Sequence, residues 1–278
     1  MSEMNTTLGD SHPEQGLRVA VSPCPNDTYI FGAWMLGLVE GAPAARFFWD
    51  DVQSLNQAAA DGRYDVVKVS AVQGLSLTRQ YAILSGGGAF GLHAGPKVVQ
   101  RPQGGTVRRV AVPGLQTTAY ALLRGAWPTP FEAVPLRYDT IPAAVQSGQV
   151  DAGVLIHESA LVFQRYGLEC VLDLGAWWAT YSNGLPLPLG VILVSRQLPE
   201  ISRQRIATSI QASLAHARAQ PETIWPWVQT LAQEMDEGTL RAHIDAYVND
   251  LSQDHASGGG DEALARLGGL LDVGVPNT

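Results

Sequence analysis

Cysteine is scarce in this chain: Cys24 and Cys170 are the only 2 in 278 residues, and neither has a Cys-x-x-Cys partner. That excludes a disulfide-stapled scaffold and a thiolate zinc site, and both residues are expected to be reduced thiols. The 6 histidines show no metal-binding spacing. His157-Glu158 is followed by Ser159-Ala160-Leu161, so the second histidine that a zinc-protease helix needs one turn later is missing. No Gly-x-Ser-x-Gly elbow is present for a serine hydrolase. The cluster Gly86-Gly87-Gly88 with Gly91 fits neither a dinucleotide fingerprint nor a phosphate loop, since no Gly-Lys-Ser/Thr follows; it is expected to be a flexible segment near a cleft. No apolar run approaches the roughly 18 to 20 residues of a membrane span. The stretch Met1 to Gly16 is polar and acidic and does not read as a secretory signal. Positive charge is also short: 18 Lys and Arg against 26 Asp and Glu leave a net charge of −8 and a pI near 5.2. Phosphate-backbone binding needs a dense basic surface, so nucleic acid is disfavoured as a partner. What remains is metal-free, cofactor-free chemistry, or simple binding, on a small molecule in the cytoplasm. That molecule can still be anionic, because one or two well-placed donors suffice for a carboxylate.

What is present is a well-packed composition, 46% hydrophobic and 16% charged, in a length that accommodates one large or two compact α/β domains. Leu17 to Val21 alternates as a strand and stops at Ser22-Pro23-Cys24-Pro25-Asn26-Asp27-Thr28. The prolines forbid further pairing in a central strand, and Asn26, Asp27 and Thr28 are good caps for a helix from Tyr29 to Leu38. A strand, a tight polar turn and a helix start make a ready site for an anion or hydroxyl. Phe47 to Trp49 and Tyr64 to Val69 read as further strands around a helix from Ser54 to Ala60. Lys68 and Ser70, two apart, share a strand face. A helix from Ala71 to Arg79 leads to the glycine cluster, and Arg101 to Gly105 reads as a linker. The alternation then restarts with a strand from Val107 to Val112. Pro113-Gly114-Leu115-Gln116-Thr117-Thr118 repeats the design of the first turn ahead of a helix to about Arg124. Such a helix start favours a carboxylate by roughly 0.3 to 1 kcal/mol when exposed.

Strands from Val134 to Tyr138, Val150 to Ile156 and Glu169 to Leu174 follow, with helices from Ile141 to Gln146 and Ala160 to Tyr166 between them. Gly184 to Gly190, broken by Pro186 and Pro188, reads as a lid or crossing linker, and Trp177-Trp178 as packing more than ligand stacking. A strand resumes from Val191 to Val194, and the remainder is helical. Leu240, His243, Ile244, Tyr247 and Val248 keep amphipathic spacing, so His243 and His216 read as helix-face residues rather than catalysts. Residues 105–190 thus form an α/β unit inserted into a discontinuous lobe made of residues 1–104 and 191–278. That order describes a two-lobed binding-protein fold with a ligand pocket between the lobes. His157 stands where the strand through Gly153-Val154-Leu155-Ile156 stops, and ligands in parallel sheets gather beyond the carboxyl ends of strands. An imidazole there suits proton transfer. On the residues alone, a histidine merely hydrogen-bonded at a strand end stands level with a catalytic one.

Taken in order over about residues 17–250, six motifs resemble the 1,4-dihydroxy-6-naphthoate synthase family of the futalosine route to menaquinone. They are Ser22-Pro-Cys-Pro-Asn-Asp-Thr28, Lys68-Val-Ser70, Val112-Pro-Gly114 with Thr117-Thr118-Ala-Tyr120, Ile156-His-Glu-Ser159, Asp173-Leu-Gly-Ala-Trp-Trp178 and Gly184-Leu-Pro-Leu-Pro-Leu-Gly190. The resemblance implies a type II periplasmic-binding-protein-like α/β fold with an interlobe cleft, working as a cytoplasmic lyase without cofactor or metal. Its substrate would be cyclic dehypoxanthinyl futalosine, cleaved to 1,4-dihydroxy-6-naphthoate with loss of sugar-derived carbons. His157 matches the family's proposed proton acceptor, and Lys68, Val69, Ser70, Thr117 and Thr118 match segments that contact ligand. Ser22, Asn26 and Asp27 on the first turn complete the candidate substrate-binding set. The chain departs from the family pattern at Tyr29, where phenylalanine is usual, at Ala71, where an aromatic is common, and at His93 and Lys97. The alternatives are a cytoplasmic carboxylate-binding protein and the related chorismate dehydratase. The oligomeric state is not legible.

Overall fold

The computed structural model describes residues 16–232 and 236–272. The expectations for Met1 to Gln15 and for the tail through Pro276 lie outside the described residues. The chain begins with β1 (Leu17–Val21), α1 (Pro25–Met35), β2 (Ala45–Trp49), α2 (Val52–Ala60), β3 (Val66–Ser70), α3 (Ala71–Ser76) and β4 (Tyr81–Gly91). It crosses to β5 (Lys97–Gln100), β6 (Arg109–Val112), α4 (Thr118–Ala126), β7 (Glu132–Pro135), α5 (Ile141–Gln146), β8 (Ala152–Leu155), α6 (His157–Leu161), β9 (Glu169–Asp173) and α7 (Leu174–Tyr181). It returns as β10 (Leu187–Ser195) and closes with α8 (Glu200–Ala219), α9 (Pro221–Leu231), α10 (Glu237–Tyr247), α11 (Asp250–Gln253) and α12 (Gly260–Asp272). Among the described residues no helix is long and apolar enough to cross a membrane.

Two five-stranded sheets result, in the orders β2-β1-β3-β10-β4 and β7-β6-β8-β5-β9. Each has three parallel strands followed by an antiparallel strand that arrives from the other half of the chain: β10 against β3, and β5 against β8. The interior strands β3 and β8 are buried along their whole length. Their near-continuous apolar character follows from having both faces covered. By strand pairing, residues 97–100 belong with the second sheet and residues 187–190 with the first. The divides expected at 104/105 and 190/191 therefore shift to the crossing segments 92–96 and 182–186. Sequence alternation alone does not say which sheet a short strand joins.

Side-chain caps start several helices close to the site. Asp51 accepts from the amides of Gln53 and Ser54 at α2, Thr117 from that of Tyr120 at α4, and Asp173 from those of Gly175 and Ala176 at α7. Helix α1 starts earlier than expected. Cys24 is its extended N-cap residue, without a side-chain cap bond, and Pro25, whose φ is preset for a helix and which has no amide hydrogen to satisfy, opens the first turn. Asn26, Asp27 and Thr28 therefore lie inside that turn instead of capping it.

Four other expectations are corrected. The glycine cluster is built into β4 and is no loose segment: residues 85–88 form a bulge between the pairs Gly190↔Ala89 and Ile192↔Leu84. Gly87 has φ +82, and a Cβ there would lie 2.8 Å from Ile192 Cγ1 and 2.9 Å from Ile210 Cγ2, so the bulge requires glycine. Residues 187–190, expected in a lid or linker, open β10; Pro188 is tolerated because pairing with β3 begins only at Gly190. The strand expected from Val134 to Tyr138 ends at Pro135, and Tyr138 sits in a 3₁₀ turn. The helix expected from Ala160 to Tyr166 starts at His157, ends at Leu161 and continues as a 3₁₀ turn over Phe163–Tyr166.

Candidate active site

Between the two sheets an open cavity is lined by both lobes. All nine sequence-derived candidates reach it. Ser22 comes from the end of β1, with Asn26 and Asp27 from the first turn of α1. Lys68, Val69 and Ser70 are the last residues of β3, Thr117 and Thr118 start α4, and His157 starts α6. The carboxyl ends of strands from two sheets thus face one space, as expected for open α/β sheets.

One end of the cavity is held by a buried ion pair. Lys68 Nζ lies 2.6 Å from Asp27 Oδ1 and also donates to the Gly87 carbonyl at 3.2 Å. The other donors to Asp27 are Asn26 Nδ2 at 2.8 Å on Oδ1, and Ser22 Oγ at 2.6 Å and Ser22 N at 3.3 Å on Oδ2. Both carboxylate oxygens are therefore surrounded by donors. Ser70 is fixed through Asn56, whose Oδ1 accepts from Ser70 N at 2.8 Å and whose Nδ2 donates to Ser70 Oγ and to the Gln116 carbonyl, each at 3.1 Å. Asn56 thereby ties β3 of one lobe to the turn before α4 of the other. Thr117 Oγ1 donates to the Gly114 carbonyl at 2.7 Å and Thr118 Oγ1 to that of Leu189 at 3.1 Å. These hydroxyl hydrogens are already committed and Thr117 Oγ1 also takes the Tyr120 amide, so the amides of Thr118 and Ala119 are what this turn offers an anion.

His157 adopts φ +55, in the left-handed region. Histidine visits it more often than most side chains, yet such backbone costs of order 1 to 3 kcal/mol and clusters at functional sites. The turn swings the imidazole out of the strand direction into the cavity. Its Nδ1 lies 3.4 Å from Cys24 Sγ, and Tyr138 meets the ring edge-on at 4.9 Å between centroids. Part of the residue stays open to the cavity, but Nε2 is sealed from solvent and has no protein partner. Burial pushes the imidazole pKa down to about 4, against the opposing pull of the Asp27 carboxylate, so the ring is neutral near pH 7. Burial also pushes the Cys24 thiol well up, keeping it protonated.

Several residues at the site were not singled out in the sequence. His243 does lie on an amphipathic helix face, as expected, but that face of α10 closes the cavity together with Tyr247. A histidine and a tyrosine four apart on an otherwise apolar stripe were the available signal. Cys24 stands in the Ser22–Thr28 motif and reads as a reduced thiol without a role of its own, and Asn56 and Tyr138 carry no motif. Trp177 and Trp178 do not line this cavity: Trp178 is buried in the core, and Trp177 stacks on Tyr181 at 5.0 Å. His93 is exposed, and Lys97 pairs with Asp173 on the neighbouring strand. Among the described residues no group of three or more His, Cys, Asp or Glu side chains is arranged to hold a metal ion.

The family model described as menaquinone biosynthesis matches residues 17–270, nearly all of the described chain. The chain belongs to the menaquinone biosynthesis family. Within it, the 1,4-dihydroxy-6-naphthoate synthase of Thermus thermophilus is 42% identical over 255 residues, covering 91% of this chain and 93% of that one. The protein of the same name from Streptomyces coelicolor is 38% identical over 263 residues, covering 92% and 91%. A solved structure from Archaeoglobus fulgidus superposes with a TM-score of 0.88 at 33% identity, over 94% of this chain and 98% of that one. A Candida albicans protein with the generic periplasmic binding protein fold superposes with a TM-score of 0.69 at 10% identity, over 94% and 92%. That last likeness concerns the fold alone, and this menaquinone-family chain has the periplasmic-binding-protein-like α/β fold expected of it.

Proposed function

We propose that the chain is a 1,4-dihydroxy-6-naphthoate synthase: a cytoplasmic carbon–carbon lyase that cleaves cyclic dehypoxanthinyl futalosine, with His157 as general base. The reading is supported by relatives of that name at 38 to 42% identity over more than nine-tenths of the chain. The observation that carries the mechanism is His157 itself, an imidazole on a strained turn that lines the cavity shared by both lobes and whose Nε2 has no protein partner. For Nε2 to accept a proton, the neutral ring must hold its own hydrogen on Nδ1, where the Cys24 sulfur is the acceptor. His157 then takes the proton of a sugar hydroxyl. The oxygen electrons close to a carbonyl, the adjacent carbon–carbon bond breaks, and its electron pair leaves on the departing carbon. The Asp27 carboxylate offsets the charge that develops on the imidazolium. The first-turn amides of α4 and the polar end of β3 hold the carboxylate and hydroxyls of the substrate.

On this reading the partner is a small molecule, with no nucleic acid or membrane; the net charge of −8 speaks against a phosphate backbone. The test is mass analysis of products from the cyclic substrate with wild-type and His157→Ala protein, with chorismate as the control substrate. Loss of a positioned base is expected to slow turnover by about 10² to 10⁴. Undiminished turnover by His157→Ala would remove the base, and turnover of chorismate in place of the cyclic substrate would overturn the assignment.

A further inference from the structure

His243 is 1% exposed, lines the same cavity, and lies 6.1 Å from His157 between ring centroids. Its helix α10 belongs to the discontinuous lobe and packs against α6 of the inserted one, so the two imidazoles meet across the lobes. The polar network around it determines its tautomer. Asn26 Nδ2 donates to Asp27 Oδ1 at 2.8 Å, which turns Asn26 Oδ1 toward His243 Nε2 at 3.0 Å. An amide oxygen only accepts, so Nε2 carries the ring hydrogen and Nδ1 carries a lone pair. That Nδ1 has no partner and no contact with solvent. The groups around the ring are Tyr247 on its own helix, His157 from α6, Asn26 and Asp27 from α1, and Lys68 from β3. None of them bonds Nδ1, and a buried acceptor left unpaired costs free energy that a ligand donor recovers.

We propose that His243 is a second substrate-contacting residue, whose Nδ1 accepts a hydrogen bond from a hydroxyl of the ligand other than the one deprotonated by His157. The inference rests on the lyase reading and deepens it. A ligand only a few bonds across reaches both rings, and the pair of acceptors selects for a polyhydroxylated substrate. Two substitutions separate this role from a purely structural one. In His243→Asn the short amide places an acceptor near the former Nδ1 and gives up the bond to Asn26. In His243→Gln the longer amide keeps a donor near the former Nε2 for Asn26 and removes the acceptor from the cavity.

The experiment measures kcat/KM of wild type and both variants on the cyclic substrate, with thermal melts as folding controls. The expected result is a loss of about 10- to 100-fold in His243→Gln and a smaller loss in His243→Asn. The reverse order, with His243→Gln close to wild type, assigns His243 to holding Asn26 and overturns the proposal. Wild-type protein without turnover overturns the lyase reading and this inference together, whereas wild-type turnover with the reverse order overturns the inference alone. Should either variant fail to fold, ¹⁵N spectra of histidine-labelled wild type decide the matter. The Nδ1 resonance of His243, assigned through its couplings to the ring protons and their contacts with Tyr247, is expected to move on substrate addition, and an unmoved resonance overturns the proposal.

Discussion

The buried pair of Lys68 and Asp27 allows an asymmetric prediction. Asp27→Asn leaves the Lys68 ammonium uncompensated in a site where its side chain is 7% exposed. At 2.6 Å and an effective dielectric near 20, the Coulomb attraction that is lost is about 6 kcal/mol. Hydration costs already spent on burial reduce the net figure, and removal of one partner of such pairs typically costs about 3 to 5 kcal/mol. Asparagine makes matters worse here, because Oδ1 receives Lys68 and Asn26 donors and Oδ2 receives two Ser22 donors. Whichever way the amide turns, its nitrogen meets a donor. Lys68→Met, by contrast, leaves Asp27 with three hydrogen bonds, so it should cost less than Asp27→Asn. The double variant should be more stable than the sum of the two losses implies, because no orphan charge remains. The assay is urea unfolding at neutral pH, followed as a shift in midpoint, with a drop of roughly 10 °C in melting temperature for Asp27→Asn. Equal losses in the two single variants, or strict additivity in the double, would refute the account of the network.

Two further expectations concern pH and backbone. His157 has a folded pKa of about 4, below the unfolded value near 6.5, so the unfolded chain binds its proton first as the solution is acidified. Stability is therefore intact above about pH 6.5 and falls by up to about 3 kcal/mol toward pH 4, with His243 shifted in the same direction by its burial. Unfolding titrations at several pH values check this, and His157→Gln should flatten the slope; an unchanged slope would show that the ring is not buried neutral. Gly87→Ala should cost more than about 2 kcal/mol and lower activity, because the added carbon meets Ile192 and Ile210 and displaces the carbonyl that Lys68 bonds. A melting temperature within a degree or two of wild type would show that the bulge has room.

The parts legible in the sequence were those set by local chemistry. Leu17 to Val21 and Ile141 to Gln146 appear with the expected ends, because alternation in the one and a compact apolar run with Pro142 in the other leave little choice. The nine candidate residues fall at strand ends and helix starts for the same reason: a polar cluster that interrupts a buried apolar run has to sit where the run leaves the sheet. What pairing decides was not legible. Residues 97–100 and 187–190 exchange sheets, and the glycines of β4 serve a bulge whose shape depends on Ile192 and Ile210 far away in the chain. Pro188 in β10 is permitted by a neighbour that begins pairing two residues later, which no local rule contains.

The same division runs through the site. The order of motifs along the chain already pointed to the two lobes, the strand that stops just ahead of His157 and the family to which the chain belongs. Only the tertiary structure decided that His243, from a helix almost ninety residues further on, stands 6.1 Å from His157, and that Asn26 sets which of its nitrogens is free. A side chain's position along a helix is written in its periodicity. What that face meets is decided by packing between lobes, where burial, tautomer and partner are properties of the assembled interior.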